Sequence, residues 1–181
     1  ETGNRPMFVQ CDVTDTAALE HAVKQAENAH GSIRILVNNA ANDARHDTET
    51  TTPEVWDQLI DINLKAYFFA TRAVVGGMKK AGVGSIINFS SISYLMGNSG
   101  YPVYVAANSG IIGLTRAHAR EFGPDRIRVN SLIPGWVMTE KQVNKWATAE
   151  ALDAHLSRQC LKEKLAPEDI ARGALFLASE A

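Results

Sequence analysis

The sequence predicts a doubly wound, Rossmann-like α/β fold, in which helices cover both faces of a parallel sheet in three layers. Short apolar segments alternate with longer segments whose apolar residues recur at helical spacing. This alternation occurs four times, and it favours parallel strands joined by right-handed helical crossovers. The segment at 33–37 is almost wholly apolar, a pattern typical of a strand covered on both faces, and further strands are predicted at 86–89 and 127–133.

The first two strand segments flank a helix. Residues 7–11 predict a short strand, and the turn that follows supplies a cap for a helix with apolar residues at 19, 22, 23 and 26. Gly31 is expected to end this helix, and residues 33–37 form the second predicted strand.

The next predicted helix covers residues 53–80. Thr52 and Pro53 occupy the cap and first-turn positions that these residues favour. Asn63 lies on the apolar face of this helix, between Ile60 and Tyr67, so its amide needs a buried partner.

Residues 84–115 organise the rest of the chain. A strand at 86–89 ends just before Ser91, and a helix predicted at 102–122 carries Tyr104 on its first turn, thirteen residues after Ser91. A strand, loop and helix of this length can bring both oxygens to the carboxyl edge of a parallel sheet, where open α/β folds bind their ligands. We therefore predict an active site at this edge.

The last elements are a strand at 127–133, broken by Pro134 and Gly135, and a helix from Pro167 through Ala178. In the segment between them, residues 136–164, polar residues alternate with aromatic ones.

Composition limits the function classes. The chain of 181 residues predicts one domain, residues 1–181. A net charge of -2 without basic clusters gives no reason to expect nucleic acid as a partner, and no apolar run is long enough for a membrane span. Cys11 and Cys160 are too few and too isolated for a disulfide framework or a metal site, so we expect reduced thiols and a cytoplasmic protein.

Several motifs in order and spacing show that the chain resembles the short-chain dehydrogenase/reductases. They are Asp12-Val13 at a strand end, Asn38-Asn39-Ala40, Asn63 in its helix, Asn88-Phe89-Ser90-Ser91, the helix of Tyr104, and Asn130 with Pro134-Gly135-x-x-x-Thr139. Residues 39–46, 87–93 and 145–162 look most like the bacterial aldose 1-dehydrogenases of the xylose and galactose type.

The family's pattern is incomplete here. The sequence has no Gly-rich turn of the form T-G-x-x-x-G-x-G, and it begins at what would be the family's third strand and stops before the seventh. We expect a sheet that is incomplete at both ends, a fragment of a longer polypeptide, and weak dinucleotide binding. The strand at 7–11 would then have no neighbour to pair with.

The resemblance implies roles for the polar residues at the sheet edge. Tyr104 would be the base, Ser91 would orient the substrate oxygen, and Asn63 would hold a water that relays the proton. A purely structural role for Asn63 stays open, because both roles need the same buried amide. Family members carry a lysine four residues after the tyrosine, which binds the nicotinamide ribose and lowers the phenol pKa, whereas this chain has Asn108.

The resemblance also implies the contacts of the cofactor, NAD or NADP, and of the substrate. Asp12 and Val13 would meet the adenine, Asn39 and Ala40 would line the dinucleotide, and Thr139 would bond the carboxamide; Ala41, Asn108, Pro134 and Gly135 complete the predicted set. Substrate contacts would come from Ser91, Ser93 and Tyr104, and from an aromatic platform of Tyr94, Trp136 and Trp146. Arg45 and His46 could bond sugar hydroxyls or lie in a solvated loop, and His118 is expected to be packed or at the surface.

The leading hypothesis is an oxidoreductase that acts on the anomeric or another secondary hydroxyl of a sugar-like small molecule, impaired by Asn108. The alternative is a non-catalytic relative with a binding or assembly role. A serine hydrolase is a distant third, because no G-x-S-x-G motif is present. Homo-oligomers of the family pair helices 53–80 and 102–122, so we expect a dimer or tetramer.

Overall fold

The computed structural model describes residues 6–180, so the predictions that include residues 1–5 and 181 reach beyond the described part of the chain. The strands are β1 (Ile35–Asn38), β2 (Gly84–Phe89) and β3 (Ile127–Leu132). The helices are α1 (Thr16–His30), α2 (Pro53–Ile60), α3 (Ala66–Ala81), α4 (Ser93–Met96), α5 (Pro102–Phe122), α6 (Glu140–Lys145), α7 (Ala149–Arg158) and α8 (Pro167–Ala178).

The described strands form one parallel sheet in the order β1-β2-β3. Ile86 of β2 lies between Leu36 of β1 and Val129 of β3 in the register. Helices α3 and α5 pack on one face around Val74, Met78, Ile86, Phe122, Ile127 and Val129, and α8 covers β2 and β3 from the other face. The predicted three-layer α/β fold is confirmed.

Two strand predictions are wrong within residues 6–180. Residues 7–11 form no strand, because no described strand lies beside them to complete a hydrogen-bonded ladder, and Phe8 is 88% exposed. β1 was expected to be covered on both faces, but Ile35 and Val37 are about half exposed. The reason is that α8 covers only β2 and β3, so one face of β1 has no helix over it among the described residues.

The helix boundaries follow the predicted capping residues. The Asp15 carboxylate accepts hydrogen bonds from the backbone N–H groups of Ala17 and Ala18 at the start of α1, and Gly31 ends that helix with a φ of 81°. Thr52 caps α2, and Pro53 is its first residue. The predicted helix 53–80 is continuous in space but changes at residues 61–65 to a π-helical turn, with Asn63 at its centre.

A buried chain of polar side chains fixes α5 on the sheet. The Asn38 side chain donates to the Asn88 side chain at 2.8 Å, and the Asn88 amide donates to the Thr115 hydroxyl at 3.0 Å. All three side chains are buried, so each hydrogen bond replaces one that water would otherwise make. The network joins β1, β2 and α5, and it thereby sets where the first turn of α5 lies above the sheet.

No helix within residues 6–180 is both long enough and apolar enough to cross a bilayer.

Candidate active site

The carboxyl ends of the strands open into two adjoining cavities. The smaller, of about 160 Å³, is lined by the ends of β1 and β2 and by α5. The larger, of about 490 Å³, lies between the loop after β1 and the segment that contains α6 and α7. Ser91, Tyr104 and Gly135 line both cavities, so they lie where the cavities meet.

Tyr104 and Ser91 reach this junction from neighbouring elements. Tyr104 stands on the first turn of α5, and Ser91 follows β2, where its hydroxyl accepts a hydrogen bond from the backbone N–H of Ser93 at 3.2 Å. The pKa of the Tyr104 phenol is raised, chiefly because the ring is buried. The polar side chains of Ser91 and Asn108 act in the opposite direction, whereas the charge of Asp43 raises the pKa further.

Asn108 lies one turn beyond Tyr104 and is 3% exposed. Its side-chain N–H donates to the backbone carbonyl of Tyr104 at 2.9 Å, and the backbone carbonyl of Asn108 accepts from the Ser90 hydroxyl at 3.0 Å. Asn108 lines the smaller cavity and offers hydrogen bonds there, but it contributes no charge to the ionisation of the phenol.

The Asn63 side chain is committed to the backbone. Its oxygen accepts from the N–H of Asn42 at 2.9 Å, and its two N–H groups bind the carbonyls of Asn42 and Leu59. The amide therefore ties the loop after β1 to the π-helical turn, a type of helical irregularity frequent at functional sites. This supports the structural role left open above. Asn63 also lines the smaller cavity beside Tyr67, whose pKa is raised by burial.

Aromatic rings and polar groups alternate around the larger cavity. The Arg45 guanidinium lies 4.0 Å from the centre of the Tyr101 ring and 5.0 Å from that of Trp146. The Trp136 indole packs edge-on against His155, with the ring centres 5.2 Å apart. Arg45 is thus a wall of the cavity and not only part of a solvated loop.

The structure brings together most of the residues predicted from the sequence. Asn39, Ala41, Asn63, Asn108, Pro134 and Gly135 line the smaller cavity, and Ser93, Trp136, Thr139 and Trp146 line the larger one. The Thr139 hydroxyl also caps α6 by accepting from the N–H of Gln142. The Ser93 hydroxyl is buried and has no hydrogen-bond partner among the described residues, and Ser93 lines the larger cavity.

Four predicted site residues line neither cavity: Asp12, Val13, Ala40 and Tyr94. The Asp12 carboxylate accepts hydrogen bonds from the backbone N–H and the hydroxyl of Thr14.

Two histidines make structural contacts. His46 bonds the backbone of α5, and His118 is packed between Phe68 and Phe122, where burial lowers its pKa. Of the two positions expected for His118, packed or at the surface, the structure shows the packed one.

The sequence reasoning missed four polar residues of the larger cavity, namely Asp43, Asn98, Gln142 and His155. No common spacing links them, because they lie in two loops and two short helices. One signal was available for Asp43: it is an acidic residue in the loop directly after a strand whose carboxyl end faces the site.

The polar groups fit one end of a nicotinamide dinucleotide. The Asn108 amide and the Tyr104 phenol offer the neutral donors and acceptors that bind ribose hydroxyls, and both residues line the smaller cavity at the ends of β1 and β2. These residues fit the nicotinamide riboside portion of NAD or NADP.

Comparisons with known proteins identify relatives of this chain. The family model described as enoyl-(acyl carrier protein) reductase matches residues 1–181. The chain is 44% identical over 180 residues to "Probable galactose dehydrogenase GalD" of Rhizobium meliloti, covering 99% of this chain and 70% of the relative. It is 43% identical over 175 residues to D-xylose 1-dehydrogenase of Caulobacter vibrioides, covering 97% and 68%.

A solved structure is similar as well. The crystal structure of a gluconate 5-dehydrogenase from Burkholderia cenocepacia in complex with NADP and tartrate superposes with a TM-score of 0.86. The two sequences are 28% identical, and the match covers 93% of this chain and 66% of that one.

The fold and the matched relatives together place the chain among the NAD(P)-dependent oxidoreductases that are built on a parallel α/β sheet. The chain belongs to the short-chain dehydrogenase/reductase family.

Proposed function

We propose that the chain carries the site of a dehydrogenase that oxidises the anomeric or another secondary hydroxyl of a sugar-like substrate. The observation that carries this proposal is the meeting of Tyr104 and Ser91 at the junction of the two cavities. A substrate in the larger cavity would face a ring in the smaller one across these two side chains. The relatives named for galactose and D-xylose support an aldose as the substrate.

The residues divide the chemistry between them. The Tyr104 phenolate accepts the proton of the substrate hydroxyl, and the Ser91 hydroxyl donates a hydrogen bond to the same oxygen and orients it. As the carbon–oxygen double bond forms, the hydrogen on that carbon leaves as a hydride. NAD or NADP, when bound, supplies the acceptor for this hydride. Asn108, Asn39 and Thr139 are the residues we assign to holding the nicotinamide riboside.

The lining of the larger cavity supports a hydroxyl-rich substrate. Asp43, Arg45, Asn98, Gln142 and His155 present charged and amide groups. Trp136, Trp146 and Tyr101 present ring faces and edges between them. Polar groups of this kind bind hydroxyls, and aromatic rings pack against the carbon–hydrogen faces of a sugar.

A second candidate follows from Asn108. Among residues 6–180 no cation lowers the pKa of Tyr104, so the phenol stays protonated near neutral pH and the chain would keep the fold for binding or assembly without turnover. This candidate and the slow dehydrogenase use the same site, but only the dehydrogenase would reduce NAD or NADP when an aldose is added.

We also propose that the chain forms a homo-oligomer through α3 and α5. An apolar groove between these helices is lined by Leu64, Phe68, Phe69, Gly110, Gly113, Leu114 and Ala117, with the Lys65 stem at its edge. Phe68 is 44% exposed within it. Small residues on α5 would let a second copy approach closely, as symmetric helix pairing requires.

The test uses the full chain and two variants, Tyr104→Phe and Ser91→Ala. Binding of reduced dinucleotide is followed by its fluorescence, and aldose-dependent reduction of NAD or NADP is followed by absorbance with a panel of aldoses. We expect slow, aldose-dependent reduction that is lost in Tyr104→Phe, with dinucleotide binding retained. Dinucleotide binding without reduction by any aldose supports the non-catalytic candidate. Reduction at an unchanged rate in Tyr104→Phe rules out the assignment of the base.

A further inference from the structure

Residues 136–164 form a separate wall over the larger cavity. This segment, called here the α6–α7 segment, follows Gly135 after the end of β3 and runs to Leu165, just before α8. Its two ends are joined by a parallel bridge between Val137 and Leu165 and by a hydrogen bond from the Met138 N–H to the Leu165 carbonyl at 2.8 Å. Because the two ends of the segment are joined, the position of the residues between them depends on their contacts across the cavity.

Asp43 makes the polar contacts across the cavity. It lies in the loop after β1, and its carboxylate accepts from the Lys141 ammonium and, at 3.0 Å, from the Gln142 amide. Both partners belong to the first turn of α6. The burial of Asp43 favours a higher pKa, but the hydrogen bonds from Lys141 and Gln142 outweigh burial and lower the pKa, so the group is a carboxylate at neutral pH.

Gln142 transmits this contact to an aromatic wall of the cavity. While its N–H donates to Asp43, its oxygen accepts from the Trp136 indole N–H at 2.8 Å. The indole is then set edge-on against His155 of α7. A hydrogen-bonded chain therefore runs from Asp43 through Gln142 to Trp136, and each link fixes the orientation of the next.

We propose that Asp43 is a positioning residue that clasps the α6–α7 segment over the substrate cavity and, through Gln142, holds the Trp136 indole in place beside Tyr104 and Ser91. This rests on the proposed function only in that a substrate enters the cavity. No catalytic contact is assigned to Asp43 itself.

The clasp has an electrostatic consequence for the phenol. The charge of Asp43 opposes ionisation of Tyr104, and Lys141 lies against that charge when the clasp is closed. Besides Asp43, the groups that act on the phenol are Ser91, Asn108, Tyr101 and, from α3, Tyr67; the Arg45 guanidinium lies 4.0 Å from the centre of the Tyr101 ring. Removal of the Asp43 carboxylate should therefore lower the pKa of the Tyr104 phenol, and removal of its counter-ion Lys141 should raise that pKa.

The experiment compares Asp43→Asn and Lys141→Gln with Asp57→Asn, which neutralises an exposed carboxylate on α2. Hydrogen exchange of the α6 amides should become about ten-fold faster in both clasp variants and not in the control. The titration of Tyr104, taken as the tyrosinate absorbance that Tyr104→Phe removes, should shift to lower pH in Asp43→Asn and to higher pH in Lys141→Gln. For any aldose that is turned over, KM should rise more than kcat falls.

Neither exchange nor titration needs substrate or cofactor, so the clasp and the proposed function can fail separately. Unchanged α6 exchange in Asp43→Asn overturns the clasp even if the chain oxidises aldoses. Faster exchange together with opposite titration shifts upholds the clasp even if no aldose is oxidised. Titration shifts in the same direction in both variants would mean that the segment is merely destabilised, and they too overturn the proposal.

Discussion

At the scale of single residues, position 108 limits what Tyr104 can do. A phenol ionises with a pKa near 10, and it needs a fall of about 3 units, or about 4 kcal/mol, to act as a base near neutral pH. Burial raises the pKa of Tyr104 instead of lowering it, and Asn108 supplies hydrogen bonds but no charge. In the proposed reaction, the Tyr104 phenol would therefore stay largely protonated near neutral pH.

Asn108→Lys should correct this deficit. A cation within a few ångströms lowers the pKa of an acidic group by about 1 to 3 units, so turnover near neutral pH should rise by about ten-fold to a thousand-fold wherever proton abstraction limits the rate. The smaller cavity next to Asn108 gives the longer side chain room. Steady-state rates against pH with saturating aldose measure the effect.

Asn108→Gln is the matched control, because it lengthens the side chain without adding charge. It should leave the pH profile unchanged. Equal rates in the lysine and glutamine variants, with cofactor bound in both, would mean that charge at position 108 is not what limits the base.

At this same scale, sequence reasoning found residues that a motif places and missed those that only the fold brings together. Ser91 and Tyr104 share one strand–loop–helix unit, so their spacing predicted their meeting. Asp43 and Gln142 are 99 residues apart and meet only because the α6–α7 segment folds back over the loop after β1. No local pattern encodes that contact.

At the scale of elements, the start of α5 matters most, because it carries Tyr104. The N-cap residue Tyr101 provides no side-chain hydrogen bond to the helix. Instead the His46 ring, from the loop after β1, accepts from the Val103 N–H at 3.1 Å through Nε2, while its Nδ1 bonds the Ala44 carbonyl at 2.9 Å. A neutral imidazole thus performs the work of a cap from 57 residues away in the sequence.

His46→Ala should therefore cost about 1 kcal/mol of unfolding free energy, the usual value for loss of a helix cap. His46→Gln, which can still accept a hydrogen bond, should cost less. Urea denaturation at neutral pH measures these differences.

His21→Ala, on the exposed side of α1, is the control for loss of a histidine. If His46→Ala is as stable as His21→Ala at neutral pH, the ring does not cap α5.

The predictions of helices and strands were correct where a periodic apolar pattern was bounded by a capping or turn residue. The strands β1, β2 and β3 and the starts of α1, α2, α5 and α8 fall at or near the predicted residues. The strand at 7–11 failed because a strand depends on a neighbour that local sequence does not specify. Helices α6 and α7 were not predicted, because residues 136–164 carry no continuous apolar stripe and those helices have no buried residue.

At the scale of the whole molecule, the groove between α3 and α5 is the surface we assign to self-association. Gly113 is exposed at its centre, and a side chain there would meet nothing within 4 Å in the single chain. Gly113→Glu should leave the fold intact, since it replaces glycine in a helix, yet bury a charge at the proposed interface. Light scattering coupled to size-exclusion chromatography should show a shift from oligomer to monomer.

Ala154→Glu places the same charge on the exposed face of α7 and should leave the oligomer unchanged. A Gly113→Glu protein that stays oligomeric would exclude this groove as the interface. Circular dichroism on both variants checks that the fold is retained.

The measurement that tests the account most directly is the ionisation of Tyr104 in the wild-type chain and in Asn108→Lys. Tyrosinate absorbance is followed against pH, and the same titration of the matching Tyr104→Phe proteins is subtracted to isolate the one phenol. We predict that Tyr104 titrates above the ordinary range for tyrosine in wild type, because it is buried without a cation, and clearly lower in Asn108→Lys. A Tyr104 that already titrates near neutral pH in wild type, or one that does not respond to the lysine, would contradict the account.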